Sequence, residues 1–469
     1  MQIYNSLIRK KEEFKPINDV IGMYTCGPTV YDYVTIGNWR SYILGDLLLR
    51  TLKYFDHDVN YVMNITDVGH LTGDNEGDAS IGEDRLEKAS KREGKTAWDI
   101  AEFYEDDFLE GMKEMNLIQP DKLPRATDHI KEQVDIIQKL EKKGFAYKIS
   151  DGIYFDVKAY EKAGFKYGEL STLDERKEGA RVAKNPEKKD LRDFALWKFS
   201  PENEKRQMEW DSPWGVGFPG WHVECSAMSM KYLGEKFDLH VGGEDLRSTH
   251  HPNEIVQSEG ATGQTPFTKY WMHGAFLMVD GGRMGKSRGN AYTIADIEKK
   301  GFSPMDLRYF YLTGHYRKQI NFTWEALEAA KNARDNLIKN LKLAKGPDEI
   351  LSPPKEKFQK TLEDDLNIPQ ALAIMWEVMK SSESAEDKLA TVLDFDKVLG
   401  LKISEELEKN DEEKISKADK KIIEDLIEQR EVARGNKNFQ KADEIRDELK
   451  QKFGIELFDN ENGTSWKIE

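Results

Sequence analysis

Apolar positions recur along this chain with two periods, and their order predicts an architecture. Residues 20–26 are a short apolar run of strand formers closed by the Gly27-Pro28 turn. From Asn38 onward Ile43, Leu44, Leu47, Leu48 and Leu52 return at helical spacing, and residues 58–65 then alternate as a strand does. Strand, helix, strand in that order predicts a parallel α/β unit, since parallel strands need a long crossover between them. Residues 73–83 are rich in glycine and acid and read as a loop, and residues 88–117 read as an amphipathic helix. Residues 125–190 combine a helix at 129–143 with short strands such as 152–157 and a charged loop, the pattern of an insertion between two α/β halves. Strand patterns return at 237–241 and 270–279. From Phe322 to about Leu399, and again over 417–452, the pattern is helical and highly charged. Ser352-Pro353-Pro354 punctuates the first block, and the acidic stretch 405–413 reads as a linker.

Composition narrows the class. The 469 residues suffice for about three domains. Asp and Glu (86) outnumber Lys and Arg (70), giving a net charge of −16, which argues against a protein that coats DNA but not against a local basic groove. Ten tryptophans oppose general disorder. The two cysteines, Cys26 and Cys225, are too few for a secreted disulfide scaffold. No apolar run reaches the roughly 18 residues of a membrane span, and the first residues lack the apolar stretch of a signal peptide. The expectation is a cytoplasmic, multidomain protein.

Four stretches carry candidate chemistry. Thr35-Ile36-Gly37-Asn38 lies between a strand and a helix, where free N–H groups favour a phosphate and Thr35 and Asn38 offer further donors; the plainer alternative is a turn capped by Asn38. Residues 280–290 alternate glycines with Arg283, Lys286 and Arg288, a cationic loop suited to a polyphosphate or equally to a solvated turn. Cys26 and Cys225, with His250 or His251 and with Glu254, offer the donors of a tetrahedral zinc site, although no CxxC pair is present and spacing leaves the histidine open. Gly242 and Gly243 follow a strand, and Asp245 beside them is placed to accept from a ribose, with His240 in reach of the same cleft.

Taken jointly, these stretches resemble the cysteinyl-tRNA synthetases, a family of class I aminoacyl-tRNA synthetases. The matching residues are Cys26-Gly27-Pro28-Thr29-Val30-Tyr31-Asp32 with Ile36-Gly37-Asn38, Gly220-Trp221-His222-Val223-Glu224-Cys225, His250-His251-Pro252-Asn253-Glu254, and Arg283-Met284-Gly285-Lys286-Ser287. Arg430-Glu431-Val432-Ala433-Arg434, Lys437-Asn438-Phe439, Ala442 to Asp447 and Gly463-Thr464-Ser465-Trp466 extend the likeness to the last residues. The resemblance implies an α/β, Rossmann-type parallel-sheet catalytic domain with an inserted connective subdomain, then a C-terminal helical tRNA-binding region. The corresponding segments are 1–120, 121–215, 216–320, 321–404 and 405–469. It implies zinc on Cys26, Cys225, His250 and Glu254, and Mg2+ carried with ATP. Gly37, Asn38, Gly242, Gly243, Asp245 and Lys286 would bind ATP, while Thr66, Trp221 and His240 would shape the amino-acid pocket. Thr35, Asn38, Arg283 and Lys286 would act in catalysis, and Arg430, Arg434, Phe439, Arg446 and Trp466 would contact tRNA. A monomer acting on L-cysteine, ATP and tRNA(Cys) is the implied assembly. The chain departs from the family pattern at Thr35, where histidine is usual, at Arg283 and Gly285 of the mobile loop, and in the extra residues after Asp67.

Overall fold

The computed structural model describes residues 1–69, 84–171, 185–201, 205–285, 288–408, 417–436, 438–460 and 463–468. The expected loop at 73–83 and Lys286 therefore lie outside the described residues. The chain forms two compact units, Met1–Leu401 and Lys402–Glu469.

In the first unit the apolar runs become a four-stranded parallel sheet. Val20–Thr25 pairs with Asp58–Met63 on one side, Thr25 opposite Met63, and with Phe237–Gly243 on the other, Met23 opposite Leu239. Phe237–Gly243 in turn pairs with Thr268–Gly274. The helix Ile36–Tyr54 carries the chain from the first strand toward one edge, and the helix His250–Thr262 carries it from Phe237–Gly243 toward the other. Crossovers that diverge in this way leave a crevice at the C-terminal ends of the two central strands, the place where open α/β sheets bind ligands. Cys26 stands there, its N–H bonded to the Val241 carbonyl at 3.2 Å.

The insertion folds as an antiparallel sheet of Ala146–Ile149, Gly152–Phe155, Ala195–Phe199 and Gly217–Pro219. Its fourth strand lies beyond residue 215, the expected boundary, and leads directly into the helix Trp221–Leu233. Two sequence expectations are corrected here. Residues 88–117 form two helices, Arg85–Glu93 and Ala97–Glu114: Gly94 closes the first at φ 67°, and the Thr96 hydroxyl caps the second. Residues 270–279 form two strands, Thr268–Gly274 and Leu277–Val279. The carbonyls between them, those of Ala275 and Phe276, turn to the Arg40 guanidinium at 2.6 and 2.7 Å instead of to a neighbouring strand.

The helices Trp324–Leu341, Ser352–Glu363, Ile368–Lys380 and Ala385–Leu399 follow. Fully buried Arg308 joins them to the sheet layer, donating to the carbonyls of Leu399 (2.9 Å) and Met115 (2.8 Å) and to Asp46 Oδ2 (2.6 Å). The second unit contains the helices Lys417–Gly435 and Phe439–Phe453, around a core of Ile423, Ile445, Leu449 and Ile455. It also contains a hairpin, Ile455–Asn460 with Gly463–Ile468, that the helical periodicity did not predict. Among the described residues no helix is long and apolar enough to cross a membrane.

Candidate active site and metal centre

A cavity of about 220 Å³ opens at the crevice, lined among others by Cys26, Thr35, Asn38, Trp221, Gly243 and Asp245. Three of the four expected stretches thus contribute to its lining, the Thr35–Asn38 turn, Cys26 of the metal set and Gly243 with Asp245, although they are far apart in sequence; no residue of 280–290 lines it. Thr35, rather than Asn38, is the N-cap of the helix Ile36–Tyr54, with extended backbone; Asn38 is its third residue. The Thr35 hydroxyl donates to Asn38 Oδ1 at 2.7 Å, so its hydrogen is already committed and the exposed Asn38 amide N–H2 is the side-chain donor that faces outward.

The mobile-loop region reaches the same helix. A Cβ at Gly37 would meet the terminal methyl of Met284, so any side chain there requires Met284 to turn away. Thr35 bridges Thr293, and the Ile36 N–H bonds the Tyr292 carbonyl at 2.9 Å. The Arg283 guanidinium lies 5.3 Å from the Phe276 ring centroid. The Gly285 N–H donates to Asn290 Oδ1 at 2.9 Å.

Beneath the cavity, Cys26, Cys225, His250 and Glu254 offer ligand atoms all within 4.8 Å of one another, and all four are buried. The local sequence explains the convergence. His250 and Glu254 are four apart on one helix and share a face, with Nε2 and Oε1 3.0 Å apart. Trp221 and Cys225 have the same spacing on the helix Trp221–Leu233, and the Trp221 ring packs 4.4 Å from that of His250. Cys26 is the member of the set that lines the cavity. His251 belongs to a second, overlapping set with Cys26, His240 and Glu254. Its Nε2 stands 3.9 Å from Glu254 Oε1, and its Nδ1 is taken by His273 Nε2 at 2.7 Å. The two sets share Cys26 and Glu254, so one tetrahedral ion fills either, and only the first supplies two sulfur donors.

Charge separates the two histidines. Burial opposes ionisation of Glu254, yet His240 and His250 outweigh it and hold the carboxyl at about 2. Burial likewise pulls His250 down, but the negative charges of Glu254 and Cys225 carry it up to about 10. His251 is driven well below the usual imidazole range by burial and by its histidine neighbours. Burial pushes the Cys26 thiol well up, whereas Cys225 is lowered, its hydrogen bond with Cys26 and the nearby His250 outweighing burial. Within the first set the Glu254 carboxylate is thus held ionised and the Cys225 thiol is biased toward its thiolate, the direction that favours a cation.

The remaining expected residues fall as follows. His240 is fully buried behind Glu254, its Nε2 2.9 Å from Oε2, and does not line the cavity. Thr66 is buried as well, donating to Glu224 Oε2 at 3.0 Å and accepting from Asn64 Nδ2 at 3.0 Å. Any Cβ on Gly242 would press on the His251 ring. In the second unit Arg430 is buried and reaches Thr464 Oγ1 at 3.3 Å, and Trp466 packs on the core, so neither belongs to an open basic face. Arg446 is paired with Asp443 at 3.1 Å, Arg434 is exposed, and Phe439 is 62% exposed.

Sequence reasoning missed the outer layer: His222, whose Nδ1 meets His250 Nδ1 at 2.9 Å, and the chain from His251 through His273 to Ser6 Oγ (2.8 Å). A signal was present, because five of the nine histidines fall between 222 and 273, and all five are buried.

The family described as tRNA synthetases class I (C) catalytic domain matches residues 13–332. The chain is 41% identical to the cysteine–tRNA ligase of Treponema denticola, the match covering 100% of this chain and 99% of that protein. It is 43% identical to cysteine–tRNA ligase 1 of Burkholderia lata over 96% and 93%, and 40% identical to the cysteine–tRNA ligase of Brachyspira hyodysenteriae over 99% and 98%. Among solved structures, Mycobacterium tuberculosis methionyl-tRNA synthetase in complex with methionyl-adenylate aligns with a TM-score of 0.56 at 15% identity, covering 83% of this chain and 92% of that one, a likeness of fold.

Proposed function

The chain belongs to the cysteine–tRNA ligases, class I aminoacyl-tRNA synthetases, and from that premise we propose how its residues select L-cysteine and attach it, with ATP, to tRNA(Cys). One observation carries the reading: two thiols, an imidazole and a carboxylate converge beneath a cavity whose rim is the Thr35–Asn38 turn. Zinc fits this donor set, which is buried, contains two sulfurs and is braced from outside. His240 holds the second oxygen of Glu254 and His222 holds the second nitrogen of His250, the hydrogen bonds that orient metal ligands. When bound there, zinc offers the cysteine thiolate a direct bond that a serine hydroxyl matches poorly.

Trp221 forms a wall of the amino-acid pocket, with His240 and Thr66 steadying its base through Glu254 and Glu224. The Asn38 amide and the start of the helix Ile36–Tyr54 receive the phosphates of Mg·ATP. Gly37 and Gly242 keep the backbone close, Gly243 lets the nucleotide approach, and Asp245 accepts from the ribose. In the first step an oxygen of the cysteine carboxylate bonds the α-phosphorus while the bond to the bridging oxygen breaks and pyrophosphate departs. Arg283 and Lys286 stabilise the charge that develops on it. In the second step a hydroxyl of the terminal ribose attacks the adenylate carbonyl and AMP leaves. Positioning and charge stabilisation supply the catalysis. Arg434, Arg446 and Phe439 are the exposed candidates for tRNA contact in the second unit, Arg430 and Trp466 supporting them from the interior.

Cysteine-dependent exchange of pyrophosphate into ATP tests the first step, and transfer of labelled cysteine to tRNA(Cys) tests the second. Both are expected, with serine inactive and a zinc chelator abolishing both. Equal exchange with serine overturns the zinc reading, and absence of exchange overturns the activity.

A further inference from the structure

Arg40 stands on the first turns of the helix Ile36–Tyr54, two residues past Asn38, and only 6% of it is exposed. Among the described residues no carboxylate pairs with it, and burial draws its guanidinium down to about 10, still a cation at neutral pH. Backbone carbonyls answer it instead. One terminal nitrogen donates to Ala275 (2.6 Å) and Phe276 (2.7 Å), and the other to His315 (3.3 Å) and Lys318. Burying a cation with no anion beside it is costly, and the fork of arginine is the side chain that can reach four acceptors at once. The clamp holds two irregular segments, 275–276 and 315–318, which are also tied to each other by the Ala275 N–H on the Tyr316 carbonyl at 2.8 Å.

Those two segments are the roots of the strands Leu277–Val279 and Ile320–Phe322, which lie parallel. From Val279 the chain turns through Asp280 and Gly281, with φ of 49° and 72°, and returns antiparallel as Gly282–Arg283. Positive φ at both turn residues suits a two-residue hairpin. Met278 is directly opposite Arg283, which makes Phe276 its diagonal neighbour, and the guanidinium lies 5.3 Å from the Phe276 ring centroid. Arg283 is exposed and does not line the cavity, but its charge reaches Asp245, which does. A long, exposed arginine samples many rotamers, and the face of a fixed ring reduces the freedom it must lose when an anion arrives. Phe276 is half-buried and is held at its own carbonyl by Arg40, so it offers such a face.

We propose that Phe276, clamped by Arg40, is a positioning residue that holds Arg283 ready for the departing pyrophosphate. The proposal rests on the role given above to Arg283 in the first step. Neither Phe276 nor Arg40 lines the cavity, and both act through Arg283.

The test uses the full-length protein and measures cysteine-dependent pyrophosphate exchange in Phe276→Leu, Phe276→Tyr and Arg40→Lys, each alone and combined with Arg283→Ala. Phe276→Leu keeps an apolar side chain at the root of the hairpin but removes the ring, and should lower kcat about three- to fivefold, the range of an exposed cation–π contact. Phe276→Tyr, which keeps the ring, should match wild type. The KM for cysteine and the zinc content should be unchanged in both, a split that a general loosening of the fold would not produce. In the Arg283→Ala background Phe276→Leu should cost nothing further, because the group it positions is gone. Arg40→Lys, which keeps the charge with too few donors for four carbonyls, should show the same dependence on Arg283; if that variant does not fold, the Phe276 variants carry the test. Wild-type exchange in Phe276→Leu, or a loss that multiplies with that of Arg283→Ala, overturns the proposal. If Arg283→Ala itself exchanges pyrophosphate as wild type does, it is the role of Arg283 in the first step that fails, so the two failures are distinguishable.

Discussion

Two glutamates on one helix meet opposite fates. Glu254, in the first turns of His250–Thr262, is held at about 2 by His240 and His250 in spite of its burial. Glu259, five residues on, is pushed up to about 7 by burial and by the charge of Glu169, against the Phe267 N–H at 3.0 Å, the Tyr160 hydroxyl at 3.4 Å and Lys236, which pull it down. Helix and residue type are the same and both side chains are buried, so the difference lies in the groups set beside them. Glu254 faces His240 from a strand, His250 from its own helix and Cys225 from the helix Trp221–Leu233, whereas Glu259 faces the Tyr160 ring and the like charge of Glu169. A charged carboxylate is kept within the cluster compatible with a metal ion, and a group pushed toward its proton sits where the helix merely packs.

The largest expected effect breaks the cation side of this contrast. Cys225→Ser should lose bound zinc, measured by metal analysis, and lower kcat/KM for cysteine by more than about a hundredfold, the upper range for disturbing only the outer hydrogen bonds of a metal. A full zinc complement in this variant would remove Cys225 from the ligand set. Lys286→Ala tests whether the rim is separable from the base. Pyrophosphate exchange should fall by about a hundredfold or more, as when a stabilising charge is removed from a leaving group, while zinc content stays at one per chain.

His240→Gln frees the outer oxygen of Glu254 and should weaken zinc binding about tenfold in competition with a chelator, leaving the fold intact by circular dichroism. The smallest effect belongs to the other glutamate. Because the folded-state value of Glu259 lies above its usual 4.5, the stability it contributes is complete below that value and is lost as the pH rises through about 7. Glu259→Gln, which keeps an acceptor for the Phe267 N–H, should match wild type near pH 4.5 and exceed it by on the order of 2–3 kcal/mol at pH 8 in denaturant unfolding. Activity should be unchanged. A pH-independent difference would show that Glu259 is ionised in the folded protein.

How much was legible follows the range of the interactions. The parallel unit at the start was readable because its strands and helix each carry their own period, and residues 20–26 and 58–65 became Val20–Thr25 and Asp58–Met63. The four candidate ligands were legible as residue types, and the resemblance selected His250 where spacing alone did not. The sequence singled out His240 but not its partners: the clustering of histidines between 222 and 273 was visible, yet the bonds of His222 and His273 were not, because these two come from a helix and a strand that meet only when the sheet forms. The break at Ala275 was equally hidden, since it depends on Arg40, more than two hundred residues earlier. At the C-terminus, alternation within Ile455–Asn460 and Gly463–Ile468 is weak, and the preceding helical pattern masked the hairpin.

Arg308 gives the domain arrangement a consequence for modularity. Its guanidinium is fully buried and is satisfied from three sides, by Asp46 on the first crossover helix, by Met115 after the helix Ala97–Glu114, and by Leu399 at the end of the helical block. Cutting the chain after the catalytic sheet would remove the Leu399 carbonyl from that cation while Asp46 and Met115 remain, a loss on the order of 1.5–3 kcal/mol. Residues 321–401 are thus not an appendage that recombination could add or trim freely.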